Sequence, residues 1–406
     1  LAMTNVDQRR TVVMLGGSRL QVPAIEAAQR LGFRVVCADY DPDAVGFKVA
    51  DVSSLTSTLD VEAVEALARE EQADFVITST RDAPVRVAAL VSERLGIPTG
   101  ISSVDAVCAT QKDAMRRRLA DHGVPMPEFE VCNNADEFGH ALERFGYDCI
   151  AKPADSAASR GVKLITPEDR ATSATELFGL FRSFSRKGTV MVEQRVTGRE
   201  VSVEGMTVDG KTTILTITDK LTTEPPFFVE LGHSEPSRLP IEAQEAIREV
   251  AKKTIDAIGI VTGPSHTEIM LTDEGPKVIE MAARLGGDFI TSKLVPLSTD
   301  LDFVEGTVAA ALGLPFDFEV KAHRGSAIRF ITADHAGTIS SIDVPDNLCH
   351  TEGVEEIELY LKPGDSIETP HSSNDRIGHV VCSGDNADEA AARAEWALGQ
   401  IRVNLS

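Results

Sequence analysis

The sequence predicts a multidomain protein that combines α/β and α+β architecture, and three observations support this. Residues 11 to 100 alternate short β-rich apolar runs with helical patterns, which is how a parallel βαβ sheet reads. Residues 193 to 320 change to alternating strands joined by tight turns, with one long helix among them. A chain of 406 residues with 42% hydrophobic content can bury several cores, roughly two to four units on ordinary domain sizes. The expected divisions are an N-terminal parallel unit (1–108), a small subdomain with its linker helices (109–192), a large central subdomain (193–320) and a C-terminal α+β cap (321–406).

In chain order, Thr11-Val-Val-Met-Leu15 is a strand, Gly16-Gly-Ser18 a turn, and Val22 to Leu31 a helix. Strand Phe33 to Ala38 ends at Asp39, helix Val61 to Glu71 follows, then strand Asp74 to Thr78 and helix Val85 to Leu95. The Gly16-Gly17 loop invites a dinucleotide reading, but Leu20 and Gln21 stand where the third glycine of G-x-G-x-x-G is wanted. Helix Lys112 to His122 stops at Gly123-Val-Pro125. Helix Ala135 to Phe145 leads to strand Cys149 to Lys152, closed by Pro153. A loop of small and polar residues from Asp155 to Gly161 runs into strand Val162 to Ile165, then helix Ala171 to Ser183 and strand Thr189 to Val192. Further on come strand Glu200 to Met206, a turn at Asp209-Gly210, a strand from Thr212, a loop from Pro225 to His233, and helix Ile241 to Ile258. The cap contributes strands near Ser326–Ile331, Glu355–Tyr360 and Gly378–Cys382 and a last helix, Ala387 to Ile401.

Net charge is −23 and the pI about 4.8. That argues against nucleic acid or an anionic membrane as the main partner, since both attract basic surfaces. No apolar run approaches the roughly 18 residues that span a bilayer. No secretory signal is read, and Leu1-Ala-Met3 is taken as extraneous to a start at Met3. Six scattered cysteines without a C-x-x-C pair suit reduced thiols in the cytoplasm and indicate neither a disulfide framework nor a zinc site.

The chemistry concentrates in Val278-Ile-Glu-Met-Ala-Ala-Arg-Leu-Gly-Gly-Asp288. An apolar strand delivers Glu280, and Arg284 and two glycines follow. Upstream, His266-Thr-Glu-Ile-Met-Leu271 reads as a second strand carrying Glu268. A turn at Asp273-Glu-Gly-Pro276 would set Glu268 beside Glu280. Two close carboxylates repel unless a cation lies between them, and hard oxygen ligands suit Mg²⁺ that also holds phosphates. Arg284 would stabilise negative charge on a phosphoryl or acyl-phosphate oxygen. The same residues could equally form a surface hairpin with two solvated acids and a structural arginine. Lys152 at a strand end supplies a point charge for a phosphate, and the small-residue loop offers unobstructed backbone N–H groups. Lys112 opens a helix and could reach a second phosphate. The strand edge at Glu193 could read an adenine through its backbone, and Glu200 could accept from ribose hydroxyls.

Taken in chain order, these motifs resemble the ATP-grasp superfamily of carboxylate–amine ligases, over nearly the whole chain. Ala283-Arg-Leu-Gly-Gly-Asp288 and Pro225-Pro-Phe-Phe-Val-Glu-Leu-Gly-His233 look most like its branch of L-amino acid ligases, which make dipeptides. The resemblance implies an ATP-grasp fold with a pre-ATP-grasp N-terminal domain. It implies ATP as the nucleotide, Mg²⁺ as the metal (Mn²⁺ as a substitute), amino acids as substrates, and a homodimer. It assigns Lys112 and Lys152 to ATP phosphates, and Ser156, Ser159 and Gly161 to the loop over them. Glu193 and Val196 would flank the adenine by their backbone, Glu200 would hold the ribose, and Glu268 and Glu280 would bind metal. Arg284, with Lys152, would be catalytic, and Glu230, His233 and Gly287 would line the substrate pocket with Arg284. Ala282 stands where many ATP-grasp enzymes have a metal-binding Asn, a small residue shared with the dipeptide-forming branch. Alternatives are a ligase or carboxylase for another acid, including purine-pathway or natural-product tailoring enzymes, a non-catalytic nucleotide sensor, and an NAD-dependent oxidoreductase.

Overall fold

In the computed structural model the described residues are 9–155, 161–225 and 228–406. The N-terminal unit holds four parallel strands in the order Val52–Leu55, Arg34–Asp39, Thr11–Leu15, Phe75–Ile77. Both faces are buried, which is why the central strands read as unbroken apolar runs. The edge strand Val52-Ser-Ser-Leu55 was not anticipated, because it is short and lacks an apolar run. The Gly16-Gly17 loop does not present itself to a pyrophosphate. Gly17 N–H donates to Asp39 (2.7 Å), Ser18 N–H donates to Gln21 Oε1 (3.1 Å), and the Gln21 amide donates back to Leu15 O (3.1 Å). The donors that a dinucleotide site needs are already used.

The small subdomain is an antiparallel sheet in the order Phe129–Cys132, Val190–Gln194, Cys149–Pro153, Lys163–Ile165. Helices Ala135–Arg144 and Ala174–Arg182 cover one face with a core that includes Phe138, Phe178 and Phe181. The helix expected from Ala171 starts instead at Ala174, because Ser173 caps it in a box with Glu176; Pro167–Ala171 is a separate 3-10 turn. Strand Phe129–Cys132 and helix Ser103–Thr110 are additions to the expected elements.

Eight antiparallel strands make the large sheet, in the order Gly275–Ala282, Gly263–Thr272, Arg199–Val208, Lys211–Thr222, Glu230–Glu235, Gly325–Ile331, Gly378–Gly384, Val354–Leu359. Helix Ile241–Ile258 packs Ile247, Ala251, Ile255 and Ile258 against Val201, Val203, Ile269 and Val278 of this sheet. That spacing is the apolar stripe of an amphipathic helix. Two expectations are corrected. Residues 230 to 235 are a strand and not part of a loop, since Glu230-Leu-Gly-His-Ser-Glu235 hydrogen-bonds to strands on both sides. The second concerns the expected cap: its strands near 326–331, 355–360 and 378–382 continue the large sheet past residue 320. Helix Ala387–Gln400 covers that end with Ala390, Ala391, Ala394 and Ala397. Strands Ser366–Ile367, Gly337–Asp343 and Arg402–Leu405 form a separate small sheet. No helix among the described residues is long and apolar enough to cross a membrane.

Candidate active site

The hairpin has the anticipated register, with Glu268 and Glu280 direct cross-strand partners. Each carboxylate already attracts an ammonium. Lys112, first residue of helix Lys112–Asp121, forms an ion pair with Glu280 Oε1. Lys220, on the strand two places away in the sheet, sits 3.3 Å from Glu268 Oε1, 2.5 Å from Glu200 Oε1 and 3.9 Å from Glu230 Oε1. Burial opposes charge on Lys220, yet the three carboxylates push its pKa well above the usual lysine value. Burial likewise opposes charge on Glu268, but Lys220 and His266 hold its carboxyl far below the usual range. Glu200 moves up, because burial and its carboxylate neighbours outweigh Lys220.

Lys152 and Glu193 lie one strand apart in the small sheet, 2.7 Å apart, with Arg116 completing the pair from the helix that starts at Lys112. All three are almost fully buried. Desolvation favours neutral Glu193, but Arg116 and Lys152 pull its pKa down to about 2. Arg116 also donates to Val278 O and Ile279 O, tying this cluster to the strand that carries Glu280.

Arg284 is held by the N-terminal unit. Its guanidinium bonds both oxygens of Asp82 (2.7 and 3.3 Å), and Leu285 N–H donates to Ser79 O. Beyond it, Gly286 packs so closely on Glu204 and His266 that a Cβ would lie 2.8 Å from His266 Nδ1. Asp288 and Phe289 then adopt left-handed φ of 52° and 61°, a strained pair for non-glycine residues. Side chains hold this turn in place. Asp288 receives two bonds from Arg376 (2.7 and 3.0 Å) and lies 3.0 Å from His233 Nε2. Arg376 also reaches Glu230, whose carboxylate accepts from Ser373 as well. Burial opposes charge on Asp288, but Arg376 and His233 keep it ionised far below the usual range.

The structure therefore gathers Lys112, Glu280, Lys220, Glu200, Glu230 and Glu268 around one hairpin, with Lys152 and Glu193 behind it and Arg284, His233 and the Gly287 turn beside it. Ser156 and Ser159 lie outside the described residues. Gly161 has φ +74°, as a turn into strand Lys163–Ile165 requires, and Val196 follows strand Val190–Gln194 directly. Sequence reasoning missed Lys220, Arg116, Asp82, His266, Glu204 and Arg376, and gave Asp288 no role. Lys220 had a signal: a lone lysine at the end of the β-rich run Ile214-Leu-Thr-Ile-Thr-Asp-Lys220.

Residues 145–292 match the family model described as ATP-grasp domain, and residues 329–406 match that described as L-amino acid ligase C-terminal domain 2. Residues 145–292 thus form an ATP-grasp domain. It is similar over 98% of its length, at 28% identity, to an uncharacterized protein of Sinorhizobium fredii, 84% of which is covered. It is 26% identical, over 97% of its length and 93% of the relative, to a formate-dependent phosphoribosylglycinamide formyltransferase of Corynebacterium jeikeium. Among solved structures the fold resembles an L-amino acid ligase from Bacillus licheniformis, with a TM-score of 0.83 at 22% identity and coverage of 98% and 100%. It also resembles a phosphoribosylglycinamide synthetase from Anaerococcus prevotii, with a TM-score of 0.77 at 18% identity and the same coverage.

The ATP-grasp match supports an ATP-dependent ligase, and ATP-grasp enzymes use ATP and Mg²⁺. The site fits both. Two hard carboxylates face each other on adjacent strands, the donor set Mg²⁺ prefers. Lys112 opens its helix with its backbone N–H on Ala154 O, next to the end of the strand that carries Lys152, so two lysines lie close together, as polyphosphate would require.

Proposed function

We propose that this ATP-grasp ligase joins the carboxylate of one amino acid to the amine of another through an acyl-phosphate, releasing ADP and phosphate. One observation carries the reading. The segment that matches the L-amino acid ligase C-terminal domain inserts Arg376 between Glu230 and Asp288, beside His233, and so braces the turn that follows Arg284. A carboxylate is a poor acyl donor. Its attack on the γ-phosphorus of ATP breaks the bond to the β-phosphate oxygen, releases ADP and leaves a mixed anhydride. Lys112, Lys152 and Arg284 offset the charge that gathers on the transferring group, and a metal between Glu268 and Glu280 would supply Lewis acidity there. The amine then attacks the acyl carbon, sheds a proton, and phosphate leaves. Arg284 would stabilise the oxyanion. No enzyme nucleophile is required, and the four cysteines whose thiols burial pushes up to about 12 are unsuited to the role.

The test is phosphate release with ATP and Mg²⁺ across an amino-acid pair matrix, with products identified by mass. ADP and phosphate are expected with a dipeptide; AMP and pyrophosphate would mean adenylate chemistry instead. The similarity to a formate-dependent phosphoribosylglycinamide formyltransferase supports a second reading, in which formate is the acid. Turnover that requires formate and ignores amino acids would select it.

Glu230 and His233 are expected to select substrate more than to hold ATP. Both belong to strand Glu230–Glu235, and both contact the Arg376–Asp288 pair. His233→Ala or Glu230→Ala should change the amino-acid KM or the preferred pair strongly. Affinity for an ATP analogue should stay within about threefold, under roughly 1 kcal/mol. Calorimetric titration of the analogue beside steady-state kinetics separates the two. Collapse of ATP binding with unchanged preference would move these residues to the nucleotide site.

A further inference from the structure

A cleft of about 630 Å³, with apolar walls and four charged side chains, lies against Phe289 of the strained turn. Its walls come from four parts of the chain: the loop and helix start around Arg19, Val45, the segment Phe289–Lys293, and strand Val354–Leu359. Phe289 lines the cleft and directly follows Asp288, so a single turn of chain connects the cleft to Arg284. The cleft carries two cations and two carboxylates in pairs. Arg19 is paired with Glu358, and Lys293 with Glu356.

Behind the pairs lies a buried support. His379 is fully buried, lies 3.0 Å from Glu356 Oε1 through Nε2, and bonds the Tyr360 hydroxyl (2.6 Å) through Nδ1. The Phe289 ring lies 4.6 Å from the His379 ring. His379 and Lys293 outweigh desolvation and bring Glu356 down to about 2, so it is ionised at neutral pH. Donor atoms of Glu356, Glu358 and His379 lie within 4.8 Å of one another, which could be taken for a metal site. The surroundings oppose that. Each glutamate already faces a cation, and both imidazole nitrogens have polar partners.

We propose that this cleft seats the attacking amino acid as a zwitterion, with Arg19 and Lys293 taking its α-carboxylate and Glu356 and Glu358 its ammonium. The inference rests on the amino-acid ligase reading above. A zwitterion exchanges partners with both ion pairs and leaves the charge balance unchanged. Opening the pairs is cheap, because exposed pairs contribute little. An amine without a carboxylate would leave the cations unused. The cleft thus selects amino acids over simple amines.

The experiment uses the whole protein and separates the two half-reactions. Hydroxylamine traps the acyl-phosphate as a hydroxamate without needing the amine cleft. The amine probes are the amino acid that gives most product in the pair matrix and its decarboxylated analogue. Arg19→Met and Lys293→Met should raise the KM of the amino acid by at least about tenfold, the loss expected for a charge-assisted contact, and leave that of the decarboxylated amine within twofold. Glu356→Gln should raise both. Hydroxamate formation and the KM for ATP should stay within twofold in all three. An unchanged amino-acid KM with normal hydroxamate formation overturns the proposal. So does loss of hydroxamate in all three variants, which would assign the cluster to the first half-reaction or to folding. A wild-type protein that forms no hydroxamate overturns the ligase reading itself, and the proposal falls with it.

Discussion

Glu280→Gln is expected to lower ATP turnover by at least about 10²-fold, the scale seen when a metal that stabilises transition-state charge is displaced. The substitution keeps the shape of the side chain and removes only its charge. Glu280 faces Glu268 directly across the hairpin and pairs with Lys112. Its side chain is 39% exposed, so it opens toward a ligand and the fold does not depend on burying it. The variant should therefore fold normally, with an unchanged urea midpoint. A neutral amide is a weak Mg²⁺ ligand, so the activity defect should grow as Mg²⁺ is made limiting and shrink in excess. The measurement is phosphate release across a Mg²⁺ titration, beside urea unfolding. Wild-type turnover at limiting Mg²⁺ would show that the metal is held elsewhere.

Much of this site is legible in sequence because local patterns fix it. Apolar residues around Glu268 and Glu280 set two strands, and the turn between them is short enough to force the pairing. Helix Ile241–Ile258 announces itself by its stripe and ends on Gly259, which takes a left-handed φ. What sequence does not reveal is which distant charge balances which. Asp82 meets Arg284 across a separation of 202 residues, and Arg376 meets Asp288 across 88. Those partners are set by how the N-terminal unit and the C-terminal strands dock on the large sheet, and no local propensity encodes that. The strand at Glu230 was hidden for a similar reason. Two prolines precede it and Gly-His-Ser breaks its apolar alternation, yet neighbours on both sides satisfy its backbone.

Lys220→Met should be the most damaging single change in the site. Lys220 is 4% exposed and lies among Glu200, Glu230 and Glu268. Methionine fills the space but leaves Glu200 facing an apolar side chain, while Glu268 keeps only His266 and Glu230 only Arg376. Removing one member of a buried charge cluster costs about 3–5 kcal/mol, because the remaining charges are left uncompensated. If the strain falls on the hairpin alone, turnover drops by roughly 10² to 10³-fold or more, since each 1.36 kcal/mol is about tenfold in rate. If it spreads through the large sheet, the urea midpoint falls as well. The pH dependence identifies the cause. Glu200 is already raised by burial and by Glu268 and Glu230, with Lys220 opposing. Without Lys220 it rises further. A group whose folded pKa exceeds its unfolded value supports the fold at low pH and loses that support as pH rises through the folded pKa. The variant should therefore be closest to wild type near pH 5 and furthest from it near pH 8. Urea midpoints at pH 5, 7 and 8, with ATP-analogue affinity at each, measure this directly. A deficit that is the same at every pH would mean that Lys220 acts by packing its stem and not by balancing Glu200.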